Sequence, residues 1–593
     1  MSEETTFSQL NTLSVKQLPD LCEEIRAKLI SDVCVSGGHL ASNLGAVELS
    51  VALHFVFGKE DKIVWDVGHQ CYTHKILTGR TDFTTLRKQG GLSGFPDFVE
   101  DPSDNFTVGH AGTAISQALG LAKARDINGE DYSVVAVVGD GSLTSGLTYE
   151  ALNNVKDTRL IVVVNDNNMS ISQSVGTSTL NLSKLRVGKY DKNKQKLKNG
   201  LCKIPLVGKP MYRFLRWCKR RAKLGYYRNS YFDNFDVKYV GIIDGNEVAD
   251  LVYYLTKIRD NVTKPTVLHI ITKKGKGYAP AEENPTLYHS VPQGGFVSTI
   301  ESSAVVSDNL VALADDDKRI CAVCAAMSGA VGFDSFAEAY PDRFFDVGIA
   351  EEHAVTFAGG LARGGMRPFV GIYNTFLQRS YDEILHDVAL QNLPVTFLID
   401  RSGLVGEDGK THQGTFGLSY LGHIPGLKIW CPFSYRQLAR AIARSLDESG
   451  PVAICYPRYL GDYDVSFSER WATLKLGKSG VTVLAVGPRM VAESMKLRTD
   501  VTVIAVTSVK PLDKTTLDGL SGDVFTLEEN VMSGGFGEKV AACFASSKNV
   551  TVYSLAVPDC FVPHATVAEQ LKMCGLTAEQ IDEFIKTHHK LIN

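Results

Sequence analysis

Two segments hold the residue types and spacing best suited to chemistry. The apolar run SVVAVV at 133–138 leads straight into Gly139-Asp140-Gly141-Ser142, and the run LIVVV ends in Asn165-Asp166-Asn167-Asn168-Met169. Both runs have strand length, with a helix predicted between them, so their C-terminal ends converge on one crevice of a parallel sheet. Glycine lets the backbone approach a phosphate closely, Asp140 offers a hard anionic oxygen, and Asn167 adds a neutral one. That set suits Mg2+ holding a diphosphate. A Gly-Asp-Gly by itself marks a turn more often than a site; an Asn about 26 residues beyond it, at the next strand end, makes the pattern specific.

The pair resembles the signature of thiamine-diphosphate enzymes. In that family the metal takes the Asp, the Asn and a main-chain carbonyl two residues on, which here implies Asp140, Asn167 and the carbonyl of Met169. Thiamine chemistry also needs a carboxylic acid hydrogen-bonded to the pyrimidine ring. The segment FFDVGIAEEHAVTFAGGLARGG places Glu351 and Glu352 after a strand, at the start of a Gly-rich helix. Such a pair is commonly solvated capping. The segment is nevertheless similar to the corresponding stretch of 1-deoxy-D-xylulose-5-phosphate synthases, whose first Glu of the pair is catalytic, and this implies Glu351. Glu352 stands where that family usually has Gln.

The same family is matched by SGGHLASNLGAVEL, WDVGHQCYTHKILTGR, TKKGKGYAPAE, YNTFLQRSYDEILHDVALQ, DRSGLVGEDGKTHQG and CYPR. The resemblance implies that His69, Gly109, His110, Ala111, Gly141, Ser142, Lys274 and Tyr278 surround the diphosphate or thiazolium, and that Phe376 contacts the aminopyrimidine. It also implies pyruvate and D-glyceraldehyde 3-phosphate as substrates. The phosphate would be held by Arg379, Arg401 and Arg458, whose guanidinium forks suit its oxygens, with Tyr373 and Asp408 as polar neighbours. Phe376 and Arg379 are three apart on the helix after Tyr373 and so share a face. His39, His412 and His289 are the candidates for proton transfer; His39 and His412 are read as lying in Gly-rich strand-end loops. Two departures stand out. The family usually reads GHSSTS where this chain has Gly109-His110-Ala111-Gly112-Thr113-Ala114, and Asn43 replaces a common Gly. These leave room for a paralogue with altered acceptor preference, and transketolase-type ketol transfer is the alternative reaction.

These residues need a scaffold of strand ends. Short apolar runs such as RLIVVVN at 159–165, PVTFLID at 394–400 and VTVLAVG at 481–487 alternate with amphipathic stretches, predicting parallel α/β sheets. At 593 residues and 44% apolar content the chain supports several cores. Loop-like breaks divide it into three α/β domains at 1–298, 299–468 and 469–593: by resemblance, a diphosphate- and Mg-binding domain, a pyrimidine and substrate domain, and a transketolase C-terminal-like domain. The resemblance also implies a homodimer.

A net charge of -4 and a pI near 6.4 argue against nucleic acid as the main partner. Residues 184–228, dense in Lys and Arg with Asp191 the lone acid, read as a mobile surface excursion. The polar N-terminus MSEETTFSQL has no signal-peptide character and no apolar run reaches membrane-spanning length, so a cytoplasmic protein is expected. Cys321 and Cys324, the single C-x-x-C, read as core packing.

Overall fold

The computed structural model describes residues 10, 12–167, 231–292 and 301–589. The basic stretch 184–228 and the carbonyl of Met169 therefore lie outside the described residues. The chain forms two compact units: Met1–Leu86 with Leu92–Phe296, and Val297–Asn593 with Arg87–Gly91. Among the described residues no helix is long and apolar enough to cross a membrane.

The first unit is built on β1 (Lys62–Trp65), β2 (Val134–Gly139), β3 (Ile161–Asp166), β4 (Lys238–Asp244) and β5 (Thr266–Ile271), in the order β1-β2-β3-β5-β4. Every pairing in it is parallel. The continuous apolar runs follow from burial on both faces. Val135 and Val137 of β2 enter one apolar cluster, while Val134, Ala136 and Val138 enter the other. Each fully buried Val contributes about 1.5–3 kcal/mol, so strands of this composition are stable only when covered twice.

The second unit holds two sheets. One contains β6 (Ile320–Cys324), β7 (Phe344–Asp346), β8 (Arg367–Tyr373), β9 (Thr396–Asp400), β10 (Lys428–Trp430) and β11 (Val452–Cys455). The other contains β12 (Ala472–Lys475), β13 (Val481–Val486), β14 (Thr502–Val506), β16 (Gly522–Val531) and β17 (Val550–Val557). The remaining strand, β15 (Ser508–Lys510), joins the first of these as its antiparallel edge, giving β15-β10-β11-β9-β8-β6-β7. β12 is also antiparallel to its neighbour β14. The expected parallel α/β sheets carry an antiparallel strand at these two edges, where a short strand needs no crossover helix to pair. Cys321 and Cys324 lie fully buried on β6, and burial pushes the Cys321 thiol up to about 12.

Candidate active site

In the first unit, β2 and β3 deliver their ends side by side. The Asp140 N–H donates to the Asn165 carbonyl at 3.2 Å, and the Asn167 N–H lies 3.4 Å from Asp140 Oδ1. Gly141 and Ser142 begin a tight 3-10 turn, Gly141–Thr144, and Asp140, Gly141 and Ser142 are all buried. Lys274, after β5, is 5% exposed; burial lowers its ammonium to about 8, against the opposing charge of Asp140.

The rings of His39, His69 and His289 form a mutual cluster at 5.5–5.8 Å, with Phe95 at 5.3 Å from His39. His69 Nδ1 is buried with no hydrogen-bond partner among the described residues. Burial, then the charge of Lys274, lowers this imidazole to about 3, so it is neutral at physiological pH. One expectation is corrected here: His39 does not follow a strand but joins the helices Leu18–Ser36 and Leu40–Gly45. Tyr278 follows Lys274 in the same loop. The chain turns at Gly275 and Gly277, both at positive φ, and the Tyr278 ring packs on Tyr288 at 5.7 Å against the apolar core.

Both departures from the family pattern have a structural account. Asn43 Nδ2 donates to the carbonyls of His39 (2.6 Å) and His69 (2.7 Å), while its Oδ1 accepts from the Tyr72 N–H at 2.8 Å. The added amide thus ties two of the three histidine segments together. Gly109, His110 and Ala111 lead into a turn whose Gly112 and Ala114 N–H groups donate to the Asp66 carboxylate at 2.9 and 3.0 Å. Gly112 has φ +86°, and a Cβ there would stand 2.3 Å from Ser145 Oγ. Glycine is required because Ser145 fills the space a side chain would take. Gly112→Ser should destabilise the protein by about 2 kcal/mol through overpacking, and adding Ser145→Gly should restore part of the loss, the rest reflecting the positive φ. Thermal unfolding of the two single variants and the double variant checks this.

Sequence reasoning missed the residues that hold these loops in place. Asn165 Nδ2 donates to Gln70 Oε1 at 3.0 Å, and its Oδ1 accepts from Thr272 Oγ1 at 2.7 Å, so it joins the segments of His69 and Lys274 to the end of β3. Asp166 pairs with His269 at 3.0 Å, and the other ring nitrogen of His269 meets the Tyr239 hydroxyl at 2.7 Å. Only the position of Asn165 and Asp166 next to Asn167 could have signalled them.

In the second unit, Glu351 opens the helix Glu351–Arg363 and is 4% exposed. Burial raises its carboxyl above the ordinary range, opposed by Arg379, whose Nη1 lies 3.5 Å from Oε2. A row of aromatic groups follows β8. The Arg401 guanidinium lies 4.6 Å from the Tyr373 ring centroid; Tyr373 stacks on Phe376 at 6.0 Å and 7°; Phe376 meets His412 edge-on at 5.6 Å. Thr375 Oγ1 donates to the Thr411 carbonyl at 2.9 Å, fastening the His412 loop to the helix bearing Phe376. Desolvation of the half-buried His412 lowers its imidazolium, although Asp408 opposes the shift. Asp408 pairs with Arg87 at 2.6 Å. No local pattern marked Arg87, which is 321 positions away.

Arg401 has φ +60°, a strained conformation for a non-glycine residue, and its N–H and Nη1 both bond Asp400. Arg458 pairs with Glu301 at 2.6 Å, and Arg401 Nη2 lies 3.8 Å from the other oxygen of Glu301.

Comparison with known proteins assigns this fold to a thiamine-diphosphate-dependent transferase of the transketolase type. Residues 1–272 match 1-deoxy-D-xylulose-5-phosphate synthase, residues 298–462 the transketolase pyrimidine-binding domain and residues 472–581 the transketolase C-terminal domain. The chain is 42% identical to the 1-deoxy-D-xylulose-5-phosphate synthase of Clostridium tetani, over 96% of this chain and 97% of the relative. It is 45% identical to the enzyme of that name from Carboxydothermus hydrogenoformans, over 96% of each. The chain belongs to the 1-deoxy-D-xylulose-5-phosphate synthase family.

Proposed function

We propose that this protein decarboxylates pyruvate and joins the remaining two-carbon unit to D-glyceraldehyde 3-phosphate, giving CO2 and 1-deoxy-D-xylulose 5-phosphate. The observation that carries the reading is Glu351: a buried carboxyl, raised by that burial, at the start of a helix and within reach of Arg379. Thiamine diphosphate, when bound, supplies an acidic ring carbon and an electron sink for the decarboxylation.

The donor set fits this cofactor. Asp140 and Asn167 offer the anionic and neutral oxygens that Mg2+ prefers, with the Met169 carbonyl as a third. The Nδ1 of His69, without a partner among the described residues, and the buried ammonium of Lys274 suit a polyanionic ligand. Gly109, His110, Ala111, Gly141 and Ser142 line the diphosphate, where small residues permit close backbone approach. Phe376, held between Tyr373 and His412, presents an aromatic face to the aminopyrimidine.

The chain's own chemistry is proton handling and anion binding. Glu351 passes a proton between its carboxyl and the pyrimidine ring nitrogen, and its buried site shifts that carboxyl toward the neutral form. His39, His289 and His412 move protons during carbon–carbon bond formation and product release. Arg379, Arg401 and Arg458 receive the phosphate, with Tyr373 and Asp408 orienting the acceptor. The working enzyme is a cytoplasmic homodimer.

Purified protein with thiamine diphosphate and Mg2+ should release labelled CO2 from 1-labelled pyruvate, at a rate that rises severalfold when D-glyceraldehyde 3-phosphate is added. Absence of release under both conditions would overturn the reading.

A further inference from the structure

We propose that Glu301 is a built-in competitor for the acceptor's phosphate, a carboxylate seated across the two guanidinium groups that must take up that phosphate. The proposal rests on the reading of Arg401 and Arg458 as the phosphate clamp. Glu301 spans them with its two oxygens, Oε1 at 2.6 Å from Arg458 Nη2 and Oε2 at 3.8 Å from Arg401 Nη2. A planar or tetrahedral oxyanion with two oxygens bridging two forks is the geometry guanidinium groups recognise.

The carboxylate is held there by its backbone. Glu301 is the residue before the helix Ser302–Asp316, and Ser302 is pinned to the segment bearing Arg458: its N–H donates to the Arg458 carbonyl at 2.9 Å and its hydroxyl to the Pro457 carbonyl at 2.8 Å. The helix start therefore cannot drift away from the clamp. On its inner side Arg401 is occupied by the fully buried Asp400 through Nη1, which leaves Nη2 as the end that Glu301 shares.

Charge decides the consequence. Two guanidinium groups facing Asp400 and Glu301 sum to zero, and a neutral clamp has no net attraction for a phosphate dianion. Displacing Glu301 restores one positive charge; Asp400, inside the sheet, cannot be displaced. The Glu301 bridge is weak enough to yield, because Arg458 is 48% and Glu301 28% exposed, and water screens such a pair. Glu301 thus sets a threshold: phosphate must outcompete it, and acceptors without phosphate gain nothing from its movement.

The test is Glu301→Gln, which keeps the shape and removes the charge, compared with wild type in the loaded enzyme. The ratio of KM for D-glyceraldehyde 3-phosphate to KM for unphosphorylated D-glyceraldehyde should fall on the order of tenfold, the size expected for removing one partly screened charge beside a dianion. The inhibition constant of inorganic phosphate against D-glyceraldehyde 3-phosphate should fall in parallel. An unchanged or higher ratio would overturn the proposal and make Glu301 a residue that orients Arg458. A wild-type enzyme that releases no CO2 from pyruvate would overturn the functional reading and this proposal with it. An active wild type in which phosphate does not compete would overturn the clamp, and this proposal with it, while leaving the reaction in place.

Discussion

Glu351→Gln should lower kcat by roughly 10²–10⁴, the range lost when a positioned acid or base is removed, while the protein still binds thiamine diphosphate. The amide has the shape of the carboxyl and can donate a hydrogen bond, but it cannot pass a proton to a ring nitrogen and recover it. The native carboxyl is 4% exposed and burial raises it toward its protonated form. Replacing it by a neutral isostere therefore removes an unfavourable desolvation of the charged state and should leave the melting temperature equal or higher. Loss of kcat without loss of stability or cofactor affinity separates a chemical role from a structural one. Cofactor binding followed by calorimetry, beside CO2 release, makes the comparison. A kcat within tenfold of wild type would remove Glu351 from the proton pathway. Glu352, its neighbour on the helix and only half-buried, serves as the control.

Asp140→Ala should weaken Mg2+-dependent binding of thiamine diphosphate by about a hundredfold or more, since outer partners of metal ligands alone are worth 10–100-fold. The substitution removes the sole anionic side chain of the expected ligand set, and Asn167 and a carbonyl cannot supply its charge. It also deprives the buried Lys274 of the opposing charge that limits the fall of its ammonium, already lowered to about 8. Treating the wild type with a chelator should reproduce the loss of binding; Mg2+ should reverse it in the wild type and fail to do so in the variant. Binding that is indifferent to the chelator would exclude a metal-held diphosphate at Asp140.

The strand-forming runs were legible because strand burial is a local property. Residues 133–138, 159–165, 394–400 and 481–487 overlap β2, β3, β9 and β13, and each run is mostly apolar because both faces of its sheet are covered. Likewise, the placement of Glu351 at a helix start after β7, and of Asp140 and Asn167 at adjacent strand ends, followed from chain order alone.

Less was legible wherever a side chain's partner lies far along the chain. His39 was read as a strand-end residue because Gly-Gly precedes it, yet the break separates two helices. The antiparallel edge strands β12 and β15 were not foreseen, since nothing in three or four residues specifies which sheet they complete. The GHAGTA departure has its reason in Ser145, which fills the space over Gly112 and lies 33 positions along the chain. The role of Asn43 depends likewise on its amide binding two histidine segments.

The sequence by itself determined the chemistry available: a carboxylate and an amide at neighbouring strand ends, a Glu pair at a helix start, and arginines beyond strand ends, all set by covalent spacing and local periodicity. Only the tertiary structure decided their electrostatic state. Burial raises Glu351 and lowers His69 and Lys274, and the fold brings Glu301 to Arg458, 157 positions away. Those outcomes depend on desolvation and on distances between segments remote in sequence, quantities that exist only once the chain has folded.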